Sequence, residues 1–181
     1  MTELTLTTLC GALRAGSLNR KLMLEAVRQF EPARHLDGDL RLPLYDGDLE
    51  TDGPPGPVTE LADRVRAADA VVIAAPEYNQ SISGVLKNAL DWISRVKGPV
   101  WRDKPVAIMS ATAGRSGGAR AQYAMRLALN PFRPRVLPGP ELLVAHAADQ
   151  FDAEGRLTND RYIEALSELM ADLRAVAASR G

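Results

Sequence analysis

The chain has 181 residues, a length that suits one domain with a sizeable hydrophobic core, and we expect a single domain over residues 1–181. Its 22 basic and 23 acidic residues nearly cancel, which gives no electrostatic reason to expect nucleic acid or an anionic membrane as a partner. One cysteine excludes an intramolecular disulfide and a multi-cysteine zinc site, and the absence of a long apolar run or a basic-then-apolar leader favours a soluble cytoplasmic protein.

The chain opens with an alternating run, residues 4–9, that predicts a strand, and apolar residues at helical spacing follow from Leu18 to Phe30. The turn between them is rich in small, hydroxyl and amide residues and carries Arg14. Unpaired N–H groups and the helix dipole favour an anion at such a turn, which suits it to a phosphate. It matches neither the P-loop nor the G-x-G-x-x-G motif, and an ordinary turn capped by Ser17 explains it equally well.

A short second strand is predicted over residues 35–42, and a long acidic loop rich in Gly and Pro follows. We interpret Asp46, Asp48 and Asp52 as solvated turn carboxylates, because the spacing of a calcium loop is missing. His35 and His146 are interpreted as surface or strand-end residues, so no metal is expected.

Pro57 suits the first turn of a second helix, and residues 70–75 are apolar at every position, which is typical of a central strand covered on both faces. A third helix, a fourth strand over residues 106–110 and a fourth helix over residues 119–129 follow. A fifth strand within residues 135–144 is interrupted by prolines, which favours the sheet edge. We expect Thr158 to cap the last helix.

Five strands that alternate with five helices predict an α/β fold with a doubly wound parallel sheet and helices on both faces. In the flavodoxin-like order 2-1-3-4-5, strands one, three and four are neighbours, and ligands bind at the carboxyl ends of such strands. The loops after these three strands are therefore expected to converge on one site.

The stretch from Pro76 to Trp92 closely resembles the P-E-Y-N-x-S-x-x-G-x-L-K-N-x-x-D-W signature of the NAD(P)H-dependent FMN reductase family, which includes quinone, azo-dye and chromate reductases. The first turn is similar to the family's phosphate loop, G-S-x-R-x-x-S-x-N, except that Ala12 replaces its serine. Gly114, Gly117 and Gly118 resemble its third loop. The resemblance covers essentially the whole chain.

The resemblance implies three groups of FMN-binding residues, one from each loop, and no catalytic side chain. The first group contacts the phosphate and comprises Arg14, Gly16, Ser17, Leu18 and Asn19. The second and third groups lie along the isoalloxazine edge and comprise Pro76, Glu77, Tyr78, Asn79 and Gln80, and Thr112 and Gly114. Glu77 is interpreted as structural or interfacial, because hydride transfer to a flavin needs no protein proton donor. Cys10 is interpreted as core packing, and one of Trp92 and Trp101 is expected at an interface.

The implied activity is a ping-pong oxidoreduction. NADPH or NADH reduces FMN, and a small-molecule acceptor such as a quinone, an azo compound, free flavin or an oxidised metal takes the electrons. A flavin-binding electron carrier without NAD(P)H activity and a regulatory phosphate-binding module remain as alternatives. The resemblance also implies a homodimer or homotetramer.

Overall fold

A computed structural model describes residues 3–179 and contains a six-stranded parallel sheet. Its strands in chain order are β1 (Thr5–Cys10), β2 (Arg34–Gly38), β3 (Ala70–Ala74), β4 (Pro105–Ala111), β5 (Arg135–Val136) and β6 (Leu142–Val144). The order across the sheet is β2-β1-β3-β4-β5, with β6 also paired to β4. The predicted order 2-1-3-4-5 is confirmed, and β1, β3 and β4 are neighbours.

The predicted fifth strand is present as two pieces, both of which pair with β4. β5 pairs with the start of β4, at Pro105 and Val106, and β6 pairs with its end. The residues between them include Pro138 and Pro140, which have no N–H to donate to a ladder. The interruption therefore divides one edge strand without changing the topology.

Helices cover both faces of the sheet, as predicted. They are α1 (Leu18–Phe30), α2 (Gly56–Ala67), α3 (Gly84–Ile93), α4 (Ala119–Leu129) and α5 (Asp160–Ala178). Helices α1 and α5 pack on one face, and α2, α3 and α4 pack on the other. The apolar run of β3 serves both cores, because Val72 faces the first pair of helices while Val71 and Ile73 face the other three.

Two predicted boundaries are wrong for local reasons. β2 ends at Gly38 rather than Leu42, because the Asp39 carboxylate accepts a hydrogen bond from the Arg41 N–H at 3.0 Å and forms a turn. The last helix is capped by Asn159 rather than Thr158, since the Asn159 side chain accepts from the Arg161 N–H at 3.1 Å.

Candidate functional site at the carboxyl edge of the sheet

The loops after β1, β3 and β4 meet at the carboxyl edge of the sheet. Loop 1 comprises residues 11–17, loop 2 residues 75–83 and loop 3 residues 112–118. A specific contact joins each pair of these loops. The contact is made either by the loops themselves or by the strand or helix end next to them. The expected convergence on one site is therefore present in the structure.

Loops 1 and 2 meet at Gly11. A Cβ at this position would lie 2.5 Å from Leu86, 2.7 Å from Pro76 Cδ and 2.8 Å from Ser83 Oγ. Any larger residue would push these groups away, so glycine is required for the close approach. Ser83, which is buried, also accepts a hydrogen bond from the Leu86 N–H at 3.5 Å and caps α3.

The N terminus of α1 borders loop 1. Ser17 caps this helix by accepting from the Arg20 N–H at 3.3 Å. The amides of Leu18 and Asn19 open the helix and have no intrahelical acceptor. Arg14 is exposed, has no carboxylate partner within residues 3–179, and extends back over the loop so that a Cβ on Gly16 would lie 3.2 Å from its guanidinium. The structure thus places the Arg14 guanidinium close to Gly16, the residue that precedes the helix cap.

Asn19 joins this helix terminus to the end of β4. Its side chain is buried, and Nδ2 donates to the Ala111 carbonyl at 2.7 Å while Oδ1 accepts from the Ala111 N–H at 3.0 Å. One hydrogen on Nδ2 remains for another acceptor. The Asn19 side-chain amide therefore ties loop 1 to loop 3.

Loop 2 contains a tight two-residue turn that sequence reasoning missed. Tyr78 and Ser81 exchange backbone hydrogen bonds at 3.1 Å in both directions. Between them, Asn79 and Gln80 have φ values of 49° and 64°, the pattern of a type I′ turn. Asparagine tolerates this left-handed conformation, but a glutamine there is strained, and such strain is concentrated at functional sites.

Glu77 joins loop 2 to the start of α4. Its carboxylate accepts from the Arg120 N–H at 3.1 Å, and its other oxygen lies 3.6 Å from the Arg120 guanidinium. The residue that precedes α4, Gly118, has no side chain with which to cap the helix. Glu77 therefore supplies the cap from a different loop, which agrees with the structural role expected for it.

A buried polar network fixes loop 3 to the protein core. Gln122 donates to Ser110 Oγ and to the Leu142 carbonyl, both at 2.9 Å, and Ser110 donates to the Gly117 carbonyl at 2.6 Å. A Cβ on Gly117 would lie 2.5 Å from the Leu143 backbone, so only glycine fits. Thr112 and Gly114 lie at the exposed side of this loop, and the space beside the Gly114 Cα is open.

The long segment after β2 is fixed on α3. The Pro43 carbonyl accepts from Asn88 Nδ2 at 2.9 Å and from Trp92 Nε1 at 2.8 Å, and the Tyr45 and Trp92 rings meet edge to face with their centroids 5.0 Å apart. Trp92 and Trp101 are both buried, so the expectation that one of them is exposed at an interface is wrong. The buried Trp92 ring instead holds the segment after β2 against α3.

Burial and charge set the ionisation of the groups beneath loop 1. Burial raises the pKa of the Cys10 thiol, which keeps it neutral and agrees with its expected role in packing. A hydrogen bond with Asp37 raises the pKa of Arg20, which therefore stays cationic. Between Glu3 and Ser179, no three His, Cys, Asp or Glu side chains are grouped as ligands for a metal ion, and no helix is long and apolar enough to cross a membrane.

Comparison with known proteins gives consistent similarities. The family model described as NADPH-dependent FMN reductase matches residues 4–149. The chain is 40% identical over 166 residues to an NAD(P)H-dependent FMN reductase of Pseudomonas aeruginosa, with 91% of this chain and 90% of the relative covered. It is also 40% identical over 146 residues to a quinone reductase of Escherichia coli, with 78% and 77% covered.

A solved structure extends the similarity to nearly the full length of the fold. The flavoenzyme NAD(P)H:(acceptor) oxidoreductase of Paracoccus denitrificans superposes with a TM-score of 0.88 at 31% identity. The alignment covers 97% of this chain and 98% of that one.

Proposed function

The chain belongs to the NADPH-dependent FMN reductase family, and from that premise we propose that it is an FMN-dependent oxidoreductase that takes its electrons from NADH or NADPH. The observation that carries the proposal is the junction of the three loops through Gly11, Asn19 and Glu77. When bound, the flavin supplies the hydride chemistry, accepting from the nicotinamide and passing the electrons to an acceptor.

The residues present fit FMN at its phosphate end. A phosphate needs several convergent N–H donors, and loop 1 and the start of α1 supply the Arg14 guanidinium and the unpaired amides of Leu18 and Asn19. Ser17 Oγ already accepts one hydrogen bond, which leaves its O–H to donate. We propose that Arg14 and residues 16–19 hold the phosphate.

The fit extends to the ring. Loop 2 presents an exposed turn over residues 78–80, and loop 3 leaves open space at Gly114. A flat tricyclic ring needs the protein backbone to come close to it, which a glycine with open space beside it permits. We propose that the residues from Pro76 to Gln80, with Thr112 and Gly114, border it. Glu77 is committed to the start of α4, so no side chain is proposed as a proton donor.

We propose a small quinone as the main acceptor, with azo compounds, free flavin and oxidised metals as further acceptors, since relatives of the chain include quinone reductases. A flavin-binding electron carrier without NAD(P)H activity is the second candidate, which the shared fold alone would allow. The names of the relatives at 40% identity favour the reductase.

We further propose that the protein is a homodimer or homotetramer built from one domain over residues 1–181, and that it works in the cytoplasm, where the nicotinamide coenzymes turn over. The segment fixed on α3 exposes large apolar side chains, with Leu44 at 82% and Leu49 at 50% of their surface. Large exposed apolar side chains of this kind are suited to contact with a second copy.

The phosphate assignment is tested with the Arg14→Ala variant. Removing one charged hydrogen-bond partner should weaken FMN binding by roughly 1.5–3 kcal/mol. The measurement is a fluorescence titration of the apoprotein with FMN. Arg34→Ala is the matched control, because Arg34 is also exposed but starts β2 at the opposite edge of the sheet. Equal affinities for wild type and Arg14→Ala would remove Arg14 from the site.

A further inference from the structure

A pocket of about 620 Å³ lies beside loop 1 on the side of β2. It is bordered by the ends of β1 and β2 and by α2, and Arg14, Arg20, Arg41 and Arg64 line it. β2 is on one side of β1, whereas β3 and β4 lie on the other. The pocket is therefore outside the region that we assign to the flavin ring.

The pocket overlaps the proposed phosphate cradle only in part, because residues 12–15 of loop 1 line it and residues 16–19 do not. Asn19, in the first turn of α1, faces the end of β4, where it is bonded to Ala111, whereas the next residue, Arg20, lines the pocket. Neither Leu18 nor Asn19 lines the pocket, whereas Arg14 does. Arg14 thus stands between two neighbouring anion sites, one towards β4 and one towards β2.

The charges in the pocket do not cancel. Arg20 pairs with Asp37 at 2.5 Å, and Arg41 pairs with Asp39 at 3.2 Å. Within residues 3–179, the Arg64 side chain donates only to the Asp37 backbone carbonyl, and Arg14 has no carboxylate partner. Arg14 is shared with the proposed FMN phosphate site, but Arg64 is not, so the pocket keeps a guanidinium for an anionic group such as a phosphate monoester.

The pocket also has a suitable size and an apolar surface. Its size falls in the range of sites for nucleotides and other small ligands. Leu13 lines it and is 37% exposed, which provides an apolar surface on which a flat base can lie. Arg41 donates from Nη2 to the Leu13 carbonyl at 3.0 Å, so that this surface and the arginines are held together.

We propose that this pocket binds the phosphorylated adenosine of a dinucleotide. The inference rests on the proposed function, because the other half of such a ligand would have to reach the flavin site across loop 1. Neighbouring strands lie about 4.8 Å apart, so the end of β2 is only about 10 Å from that of β3. Two ligands carry this chemistry: NADPH through its 2′-phosphate and FAD through its diphosphate.

The test uses Arg64→Ala, with Arg66→Ala as a matched control on the same helix. Arg66 is also half-buried and donates to a backbone carbonyl, that of Lys97 at 2.5 Å, but it does not line the pocket. Binding of adenosine 2′,5′-bisphosphate to the FMN-loaded protein is measured by calorimetry, and binding of FAD and FMN to the apoprotein by fluorescence. Arg41→Ala, at an exposed position, serves as a second variant if Arg64→Ala does not fold.

If NADPH is the ligand, Arg64→Ala weakens binding of the bisphosphate about tenfold or more, while its affinity for FMN stays within about twofold of wild type. Both affinities of Arg66→Ala also stay within about twofold of wild type. If FAD is the source, the same loss is seen for FAD and not for FMN. Unchanged affinities for both the bisphosphate and FAD overturn the pocket assignment, even where the wild type binds FMN and oxidises NADPH. If the protein takes up no FMN, the same titration is made on the apoprotein, and binding of the bisphosphate through Arg64 there keeps the pocket and rejects the proposed function.

Discussion

Asn19 shows how one side chain can organise the site without being on its surface. It bonds to both backbone groups of Ala111, which is 92 residues away in the sequence. Sequence alone predicts the cap at Ser17, because capping is local. It does not predict that the side chain two residues later turns inward, since that depends on where β4 ends.

We expect Asn19→Ala to destabilise the apoprotein by about 2–4 kcal/mol. The substitution removes two hydrogen bonds and leaves a buried N–H and a buried carbonyl unpaired. Urea unfolding measures the change. The helix cap Asn159→Ala is the control, for which a loss of about 1 kcal/mol is expected. If the two variants were equally stable, Asn19 would not tie the loops together.

Helices and strands were predicted best where their determinants are local. The continuous apolar run of β3 and the bounds of α4 follow from residue pattern, as do the prolines that divide β5 from β6. The positions of Trp92 and Trp101 do not, because their burial depends on the segment after β2 and on neighbouring helices. The same holds for the left-handed pair at Asn79 and Gln80.

At the start of α4, the capping side chain is Glu77 of loop 2, and its loss should change the stability of the protein. Glu77→Ala should destabilise the protein by about 1 kcal/mol, because the Arg120 N–H loses its acceptor and Gly118 has no side chain to replace it. Glu77→Gln keeps an acceptor oxygen and should retain most of that stability. Thermal unfolding of the two variants compares them, and equal losses would show that the charge, rather than the cap, is responsible.

Across the whole molecule, alternation of strands and helices predicted the sheet order and the edge at which the loops meet. It did not predict the arginine pocket, since Arg64 comes from the last turn of α2 and joins Arg20 and Arg41 only through the packing of that helix against β2. Ligand-binding residues of such a fold lie mainly in the loops at the ends of the strands, whereas a pocket such as this one depends on surfaces that no local pattern specifies.

The central claim is that the three joined loops hold FMN in an NAD(P)H-dependent reductase, and an anaerobic absorbance measurement tests it most directly. The purified protein is supplemented with FMN, freed of unbound flavin, and mixed with NADPH or NADH without oxygen. We expect a bound-flavin spectrum that bleaches on addition of coenzyme and recovers when a quinone is added. Protein that retains no flavin, or bound flavin that neither coenzyme bleaches, would contradict it.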